Sequence, residues 1–458
     1  MTRVSTEKAV RRDATVDHAR EVMALLFGPA ATRGFGVRYW TGEADEAGEG
    51  VGSAAFTIVI AGPGTLRRML LPPSELSLVE AMLSGDVTLE GDAEAAMSLG
   101  DAISDRLGSP AMLASLTRHL LALPATPPPD DVRRRRAAHT VGGAGEVHDP
   151  RRDQAAIRYH YDVGNDFYAL WLDPRMVYSC AYFARGTDPV AELADAQRAK
   201  LDLICRKLML RPGERLLDVG CGWGALVMHA AQEFGVEAVG ITLSEAQASL
   251  ARERIAAAGL ADRCRVEIRD YRDLAPLDRF DKIASVGMVE HVGERKLATY
   301  FAALFAALRP EGLLLNHGIV SMQAALPRGL RGRLEGWLWK RDAFVDQYVF
   351  PDGRLTSLAT VMAAAEAEGF ETRDVESLRE HYALTLRAWL ARLEQHAEEA
   401  ERLTDARTVR TWRLYMTASA HGFARGRLNI VQTLLSRSAA DGTSGLPLRR
   451  ERMLAPGS

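Results

Sequence analysis

Three glycines at alternate positions, Gly220, Gly222 and Gly224, separate the apolar run LLDV from the apolar segment ALVMHAAQEF. The pattern reads as strand, tight turn and helix. Glycine there permits positive φ and lets the backbone approach a ligand closely, as at the first turn of nucleotide-binding α/β sheets. The spacing G-x-G-x-G lacks the third glycine of the dinucleotide fingerprint, and the loop has no Lys-Ser/Thr pair to hold a triphosphate. The expected ligand is an adenosine-bearing cofactor, with S-adenosylmethionine favoured over NAD or ATP. Such a loop also serves as a plain structural turn, so it needs partners elsewhere in the chain.

Other residues able to do chemistry are scattered: Cys180 after Tyr178 and Ser179, the pair Glu290-His291, His317 and Tyr382. Taken singly, each has a bland explanation, as a solvated pair at a strand end, a satisfied core histidine or a surface tyrosine. Cys180, Cys205, Cys221 and Cys264 show no C-x-x-C spacing, which suggests neither a zinc site nor a disulfide framework, and no metal is expected.

The elements that must position these residues follow from periodicity. A helix over 192–210 closes at Arg211-Pro212-Gly213. After the glycine loop and its helix come the strand VEAVGIT, a helix with Ser244 as N-cap, the strands CRVEIRD and FDKIASVG, the helix ERKLATYFAALFAAL and the strand GLLLNHGIV. Strands alternating with helices imply a parallel sheet covered on both faces, with ligands beyond the carboxyl ends of its strands. Those ends carry Gly220 to Gly224, Thr242 to Gln247, Asp270 to Arg272, Gly287 to Val292 and Asn316 to Ile319. The second is unusual. Many adenosine-binding sheets place an acid there for the ribose hydroxyls, whereas VGITLSEAQ offers Thr242 and Gln247. Either the ribose is held by neutral hydrogen bonds or that task has moved elsewhere.

A chain of 458 residues is too long for one ordinary core. Residues 1–125 read as a small α+β domain without a catalytic constellation. Residues 126–155, rich in Pro, Gly and Arg, read as a linker, and 156–458 as the main domain. Within the linker, Arg133 to Arg136 suit either anionic headgroups or, by preference, a solvated tether. A hydrophobic share of 47%, a charged share of 26% and a net charge of −3 place the chain in the globular class and give no general attraction to nucleic acid. No apolar run approaches the length of a membrane span, and the charged N-terminus MTRVSTEKAVRRD does not read as a signal peptide, so a cytoplasmic location is expected.

The run YDVGNDFYALWLD, then MVYSCAYF, LDVGCGWG, GITLSEAQ, DYRDL, VGMVEHVG, NHGI, HYALTLRAW and WRLYMTASAHGF, resembles the cyclopropane-fatty-acyl-phospholipid synthase family, related to the mycolic acid methyltransferases. The motifs stand in the family's order and spacing from about residue 155 onward. The missing ribose acid is a family trait as well. The resemblance implies a doubly wound Rossmann-like methyltransferase domain with a helical cap in its C-terminal part, preceded by a small α+β lipid-binding domain. It implies S-adenosylmethionine contacts from Tyr178, Ser179, Asp218, Gly220, Gly222, Gly224, Thr242, Leu243, Gln247, Tyr271 and Arg272. It further implies a bicarbonate ion beside the methyl group, caged by Cys180, Glu290, His317, the backbone of Ile319 and Tyr382, with Cys180 and Tyr382 as hydrogen-bond donors. Tyr159, Tyr161, Phe167 and Trp171 would line an apolar pocket, and Trp337, Trp339, Phe344, Tyr348 and Phe350 would form either a lid over acyl chains or an ordinary cap.

The implied activity adds a methylene group across the cis double bond of phospholipid acyl chains. The implied partner is the bilayer surface at the inner face of the membrane, and a homodimer is left open. Rival readings are the same methyl transfer ending in a methylene or methyl branch, a non-catalytic lipid-binding protein, and methylation of a soluble small molecule. One departure stands out: Ser419 occupies a position where several relatives carry a cysteine.

Overall fold

The computed structural model describes residues 13–48, 55–100, 110–127, 163–274, 279–322, 344, 348 and 355–450. Tyr159, Tyr161, Trp337, Trp339, Phe350 and Arg133 to Arg136 lie outside the described residues, as does the linker from residue 128 on. The chain divides into two compact units, residues 1–143 with 327–344, and residues 144–326 with 345–458.

The first unit is α+β. Its helix Ala14–Phe27 starts where the Asp13 carboxylate accepts from Thr15 N, and stops at Gly28 with φ 90°. Strands β1 (Gly36–Arg38), β2 (Ala44–Asp45), β3 (Phe56–Ile60) and β4 (Val87–Gly91) form a sheet in the order β2-β1-β3-β4. Alternation in β3 turns Phe56, Ile58 and Ile60 into one core with Val16, Val22 and Leu26 of the helix.

The second unit is built on seven strands: β5 (Arg215–Val219), β6 (Glu237–Thr242), β7 (Cys264–Ile268), β8 (Phe280–Val286), β9 (Leu308–Ser321), β10 (Glu371–Ser377) and β11 (Leu428–Ser436). Their order is β10-β11-β9-β8-β5-β6-β7. Strands β5 to β9 are mutually parallel, as the alternating pattern predicts. Adjacent residues of one strand feed two different cores. Leu216 and Ala238 face a cluster with Leu201, Ile204, Val227 and Ala251, while Leu217 and Val239 face one with Tyr300, Phe301, Leu304 and Val361. Both faces are covered, which is why these strands read as near-continuous apolar runs.

Two strands are not visible in the sequence. ETRDVES is an edge strand whose residues are all exposed or half-buried, so it carries no apolar run. LNIVQTLLS pairs antiparallel with β9 from Leu428↔Ser321 to Ser436↔Leu313. The C-terminal part is thus not helical throughout. Helices Arg379–Gln395 and Ala406–Ala424 pack together as a cap, and the chain then returns to the sheet. Among the described residues no helix is long and apolar enough to cross a membrane.

Candidate active site

The direction of strand progression reverses at β5, which has β6 on one side and β8 on the other. A crevice opens at such a point beyond the carboxyl ends of the strands. Here it is a cavity with about 1160 Å³ of empty space, lined by Tyr178, Ser179, Asp218, Gly220, Gly222, Thr242, Leu243, Gln247, Tyr271 and Arg272 among others. Of the residues expected to contact the cofactor, only Gly224 is not on its wall.

The loop explains why. Gly220, Gly222 and Gly224 all have positive φ, at 79°, 53° and 81°. A Cβ on Gly220 would lie 2.5 Å from Met288 Cγ, whereas one on Gly222 would meet nothing within 4 Å. A Cβ on Gly224 would lie 3.2 Å from Ala251 Cβ, and this residue starts the helix Ala225–Phe234. Gly222 is therefore the glycine that keeps space open. Gly224 allows the close packing of its helix against Ala251.

At the end of β6 the Thr242 hydroxyl donates to Gln247 Oε1 at 2.9 Å, and Ser244 caps the next helix by accepting from Gln247 N at 3.3 Å. Gln247 keeps its amide N–H groups for a ligand, so this end offers the neutral hydrogen bonding anticipated for a ribose. Arg272 is held by Asp270 through two bonds of 2.8 Å and lies over the Tyr271 ring at 5.1 Å. Its charge is compensated, and it serves with Tyr271 as a flat wall.

Beside the cavity, after β8 and on β9, lie the residues expected to surround an anion. Glu290 lies on the short helix Val289–Val292 after β8, between wall residues Met288 and His291. Its Oε1 accepts from Ile319 N at 2.7 Å, while Oε2 is buried and has no hydrogen-bond partner among the described residues. Burial pushes this carboxyl up to about 7, against the lowering effect of the Ile319 hydrogen bond. His317 is fully buried on β9, and its carbonyl accepts from Gly287 N at 2.8 Å. Burial, reinforced by the charges of Lys200 and Lys207, drives the imidazole down to about 3, so the ring is neutral. With the Gln432 amide nitrogen donating to His317 Nδ1 at 3.1 Å, the ring proton sits on Nε2, which has no partner among the described residues. Register sets this contact, because Gln432 is paired with His317 across β11 and β9.

Two residues expected around an anion have protein partners in this structure. The Ile319 amide donates to Glu290 Oε1 and so orients the carboxylate. The Cys180 thiol, its pKa raised by burial, donates toward the carbonyls of Ala181 (3.3 Å) and Leu378 (3.7 Å), so its single proton is directed at backbone. Tyr382 is buried with its ring against Phe423, centroids 4.8 Å apart. Tyr415, which the sequence did not single out, is buried, and burial pushes its phenol up to about 12 against the opposing influence of the Tyr178, Ser419 and Tyr382 hydroxyls. Ser419 thereby stands near the Tyr415 hydroxyl. Tyr415 stands inside the WRLYMTASAHGF motif, but only the helix Ala406–Ala424 shows that it points here.

Phe167 and Trp171 are not on the cofactor wall. They belong to an aromatic cluster in which Tyr168 packs on Trp223 at 5.1 Å and Tyr178 on Trp389 at 5.2 Å. Phe344 and Tyr348 are buried, and Tyr348 lies under Arg407 at 5.8 Å. The residues present suit the expected cofactor: neutral ribose donors at one end, opposite charges from Lys200 and Asp218 along the wall, and inward-facing polar atoms beyond.

Known proteins point the same way. Residues 148–433 match the family model described as mycolic acid cyclopropane synthetase. A Pseudomonas putida protein named "Probable fatty acid methyltransferase" is 41% identical over 91% of this chain and 95% of its own length. The Escherichia coli K12 cyclopropane-fatty-acyl-phospholipid synthase is 37% identical over 62% of this chain and 68% of its own. Among solved structures, mycolic acid cyclopropane synthase CmaA1 complexed with SAH and CTAB superposes with a TM-score of 0.56 at 34% identity, covering 62% of this chain and 97% of that one. With its cavity, its glycine loop and a family match over most of the sheet-bearing unit, the chain belongs to the mycolic acid cyclopropane synthetase family of S-adenosylmethionine-dependent methyltransferases that act on lipids.

Proposed function

We propose that the protein methylates the cis double bond of unsaturated acyl chains in membrane phospholipids and closes a cyclopropane ring with the help of bicarbonate. The observation that carries this reading is that Glu290 Oε2 and His317 Nε2 are both buried and have no hydrogen-bond partner among the described residues. Buried polar atoms are seldom left in that state without a ligand. One donor and one acceptor suit a small oxyanion that bears its own proton, and that fit supports the bicarbonate assignment.

S-adenosylmethionine would supply an electrophilic methyl group, and bicarbonate a base small enough to reach the proton whose loss closes the ring. The chain's own part is to hold and exclude. The aromatic cluster keeps water from a reacting carbon centre and offers ring faces to positive charge. His317 Nε2–H would donate to the anion, Glu290 Oε2 would accept its proton, and Tyr382 would donate a hydrogen bond to it. Acyl chains would come from a bilayer at the inner face of the membrane, and the N-terminal unit is proposed as the lipid-binding part.

Gln432→Leu should reduce turnover by about 10–100-fold, because the bond that fixes the His317 tautomer is lost. ¹⁵N chemical shifts of the His317 ring would show loss of the pure Nε2–H form; an unchanged tautomer and rate would mean that Gln432 does not set it.

A second reading, methyl transfer ending in a branched acyl chain, is compatible with the name of the Pseudomonas relative, which gives a fatty acid methyltransferase and no ring. One experiment separates the two. Purified protein is incubated with methyl-labelled S-adenosylmethionine and vesicles of monounsaturated phospholipid, and the fatty acids are identified by mass spectrometry. A ring is the expected product. A branch selects the second reading, and acyl chains without label contradict both.

A further inference from the structure

From Val177 to Phe183 the chain runs without regular secondary structure, so its backbone groups must find partners one by one. On one side lies the helix Pro189–Lys207. Gln197, fully buried on it, donates through its amide to the carbonyls of Val177 (3.4 Å) and Ser179 (2.9 Å), and Tyr182 N donates to Ala196 O at 3.0 Å. On the other side lies the cap helix Arg379–Gln395, where Ala181 N donates to Thr385 Oγ1 and Phe183 N to His381 Nδ1, each at 3.0 Å. This strap therefore joins the cofactor wall, at Tyr178, to the helix that carries Tyr382.

Both side-chain acceptors are prepared for the task. The Thr385 hydroxyl directs its one proton to His381 O at 2.7 Å, which turns a lone pair toward Ala181 N. Accepting at Nδ1 places the His381 proton on Nε2. Burial lowers the pKa of this histidine against the raising effect of Glu376 and Glu380, so the ring is neutral. Glu376 is itself paired with Lys207. The Tyr182 ring stacks on the imidazole, with centroids 4.7 Å apart and planes at 21°. Neither His381 nor Thr385 lines the cofactor cavity.

We infer that His381 and Thr385 are positioning residues: as neutral acceptors they hold the strap on the cap helix and so set the spacing between Tyr178 on the cavity wall and Tyr382. This rests on reading Tyr382 as part of the site of methyl transfer. Loss of either acceptor leaves a buried backbone N–H without a partner, and the strap must shift to satisfy it. Gln197 still holds the end at Val177 and Ser179, so the cofactor side stays in place while the side next to Tyr382 moves. A misplacement of about 1 Å costs on the order of 100-fold in rate.

The test pairs variants that keep one property and lose another. His381→Phe keeps a ring on Tyr182 and loses the acceptor, whereas His381→Asn loses the ring and keeps an oxygen near the Nδ1 position. With methyl-labelled S-adenosylmethionine and vesicles of monounsaturated phospholipid, kcat should fall about 10–100-fold in His381→Phe and stay within about threefold of native in His381→Asn. Calorimetry should give S-adenosylhomocysteine affinities within about threefold of native for both. Thr385→Val and Thr385→Ser repeat the contrast at the second acceptor, and they decide the matter if His381→Phe does not fold. Amide hydrogen exchange, which needs no turnover, should quicken about 10-fold or more at Phe183 in His381→Phe and at Ala181 in Thr385→Val, and not in the Asn and Ser variants. A folded His381→Phe or Thr385→Val with native kcat overturns the assignment, and so does a His381→Asn as slow as His381→Phe, because a merely structural role would not follow the acceptor. A native chain that binds S-adenosylhomocysteine and labels no acyl chain is a distinct result. It would overturn the proposed function, and the exchange contrast would still decide whether these acceptors hold the strap.

Discussion

Glu290→Gln is expected to lower methyl-transfer turnover by about 10²–10⁴-fold while S-adenosylhomocysteine binds as before. The substitution preserves shape and keeps an oxygen for the Ile319 amide, which donates at 2.7 Å in the native chain. It removes the atom that accepts a proton, since one carboxylate oxygen is replaced by an amide nitrogen that only donates. Glu290 does not line the cofactor cavity, so cofactor affinity should be insensitive to the change. Native turnover should fall as pH drops through about 7, because the carboxyl, raised there by burial, must be ionised to accept. The Glu290→Gln variant should lack that limb.

Stability moves in the opposite sense. A carboxyl whose folded pKa of about 7 exceeds its ordinary 4.5 binds a proton in the folded state that the unfolded chain has released. Its contribution is present below the unfolded pKa and is lost as pH rises through the folded one. At pH 8 the Glu290→Gln variant should therefore be at least as stable as the native chain, and its lost turnover cannot be ascribed to unfolding. Steady-state rates from pH 5.5 to 8.5, with thermal melts at both ends, check both statements. Near-native turnover would show that the anion cage is wrongly assigned.

Gly220→Ala should destabilise the fold by about 2–5 kcal/mol, the sum of left-handed backbone strain and overpacking. The residue sits at φ 79°, and the added Cβ would fall 2.5 Å from Met288 Cγ and 2.6 Å from Met288 Sδ. Met288 lies just before Glu290 and on the cavity wall, so its displacement should also weaken cofactor binding. Gly222→Ala gives the contrast. With nothing within 4 Å of its Cβ, it should lose only about 1 kcal/mol from backbone strain, yet it projects a methyl into space the ligand needs. A melting temperature that drops sharply for Gly220→Ala and slightly for Gly222→Ala, with cofactor binding impaired in both, is the expected pattern. Equal melting temperatures would mean that Met288 moves aside freely.

Much of the site was legible because its parts sit at strand ends that periodicity locates. Gly220 to Gly224, Thr242 to Gln247, Asp270 to Arg272 and Glu290 all follow apolar runs, and all fall at one edge of the sheet. Lys200, Tyr415 and Gln432 were not legible. Each lies in an element whose sequence does not name its neighbours. Lys200 shares an amphipathic helix with surface residues, Tyr415 lies on a helix of the cap, and Gln432 sits in a strand that periodicity does not reveal.

The sequence by itself determined the alternation of strands and helices, the glycine turn and the neutral ribose end, because these depend on local backbone freedom and on the spacing of apolar residues. Family motifs extended that to a set of residues around a methyl group. Only the tertiary structure decided what those residues do to one another: that Ile319 serves Glu290, that Gln432 fixes the proton on His317, that Gly224 packs against a helix, and that Lys200 and Asp218 face one cavity. The reason is physical. Hydrogen-bond partners and desolvation depend on which atoms meet across elements far apart in the chain, and strand register and burial exist only once it has folded.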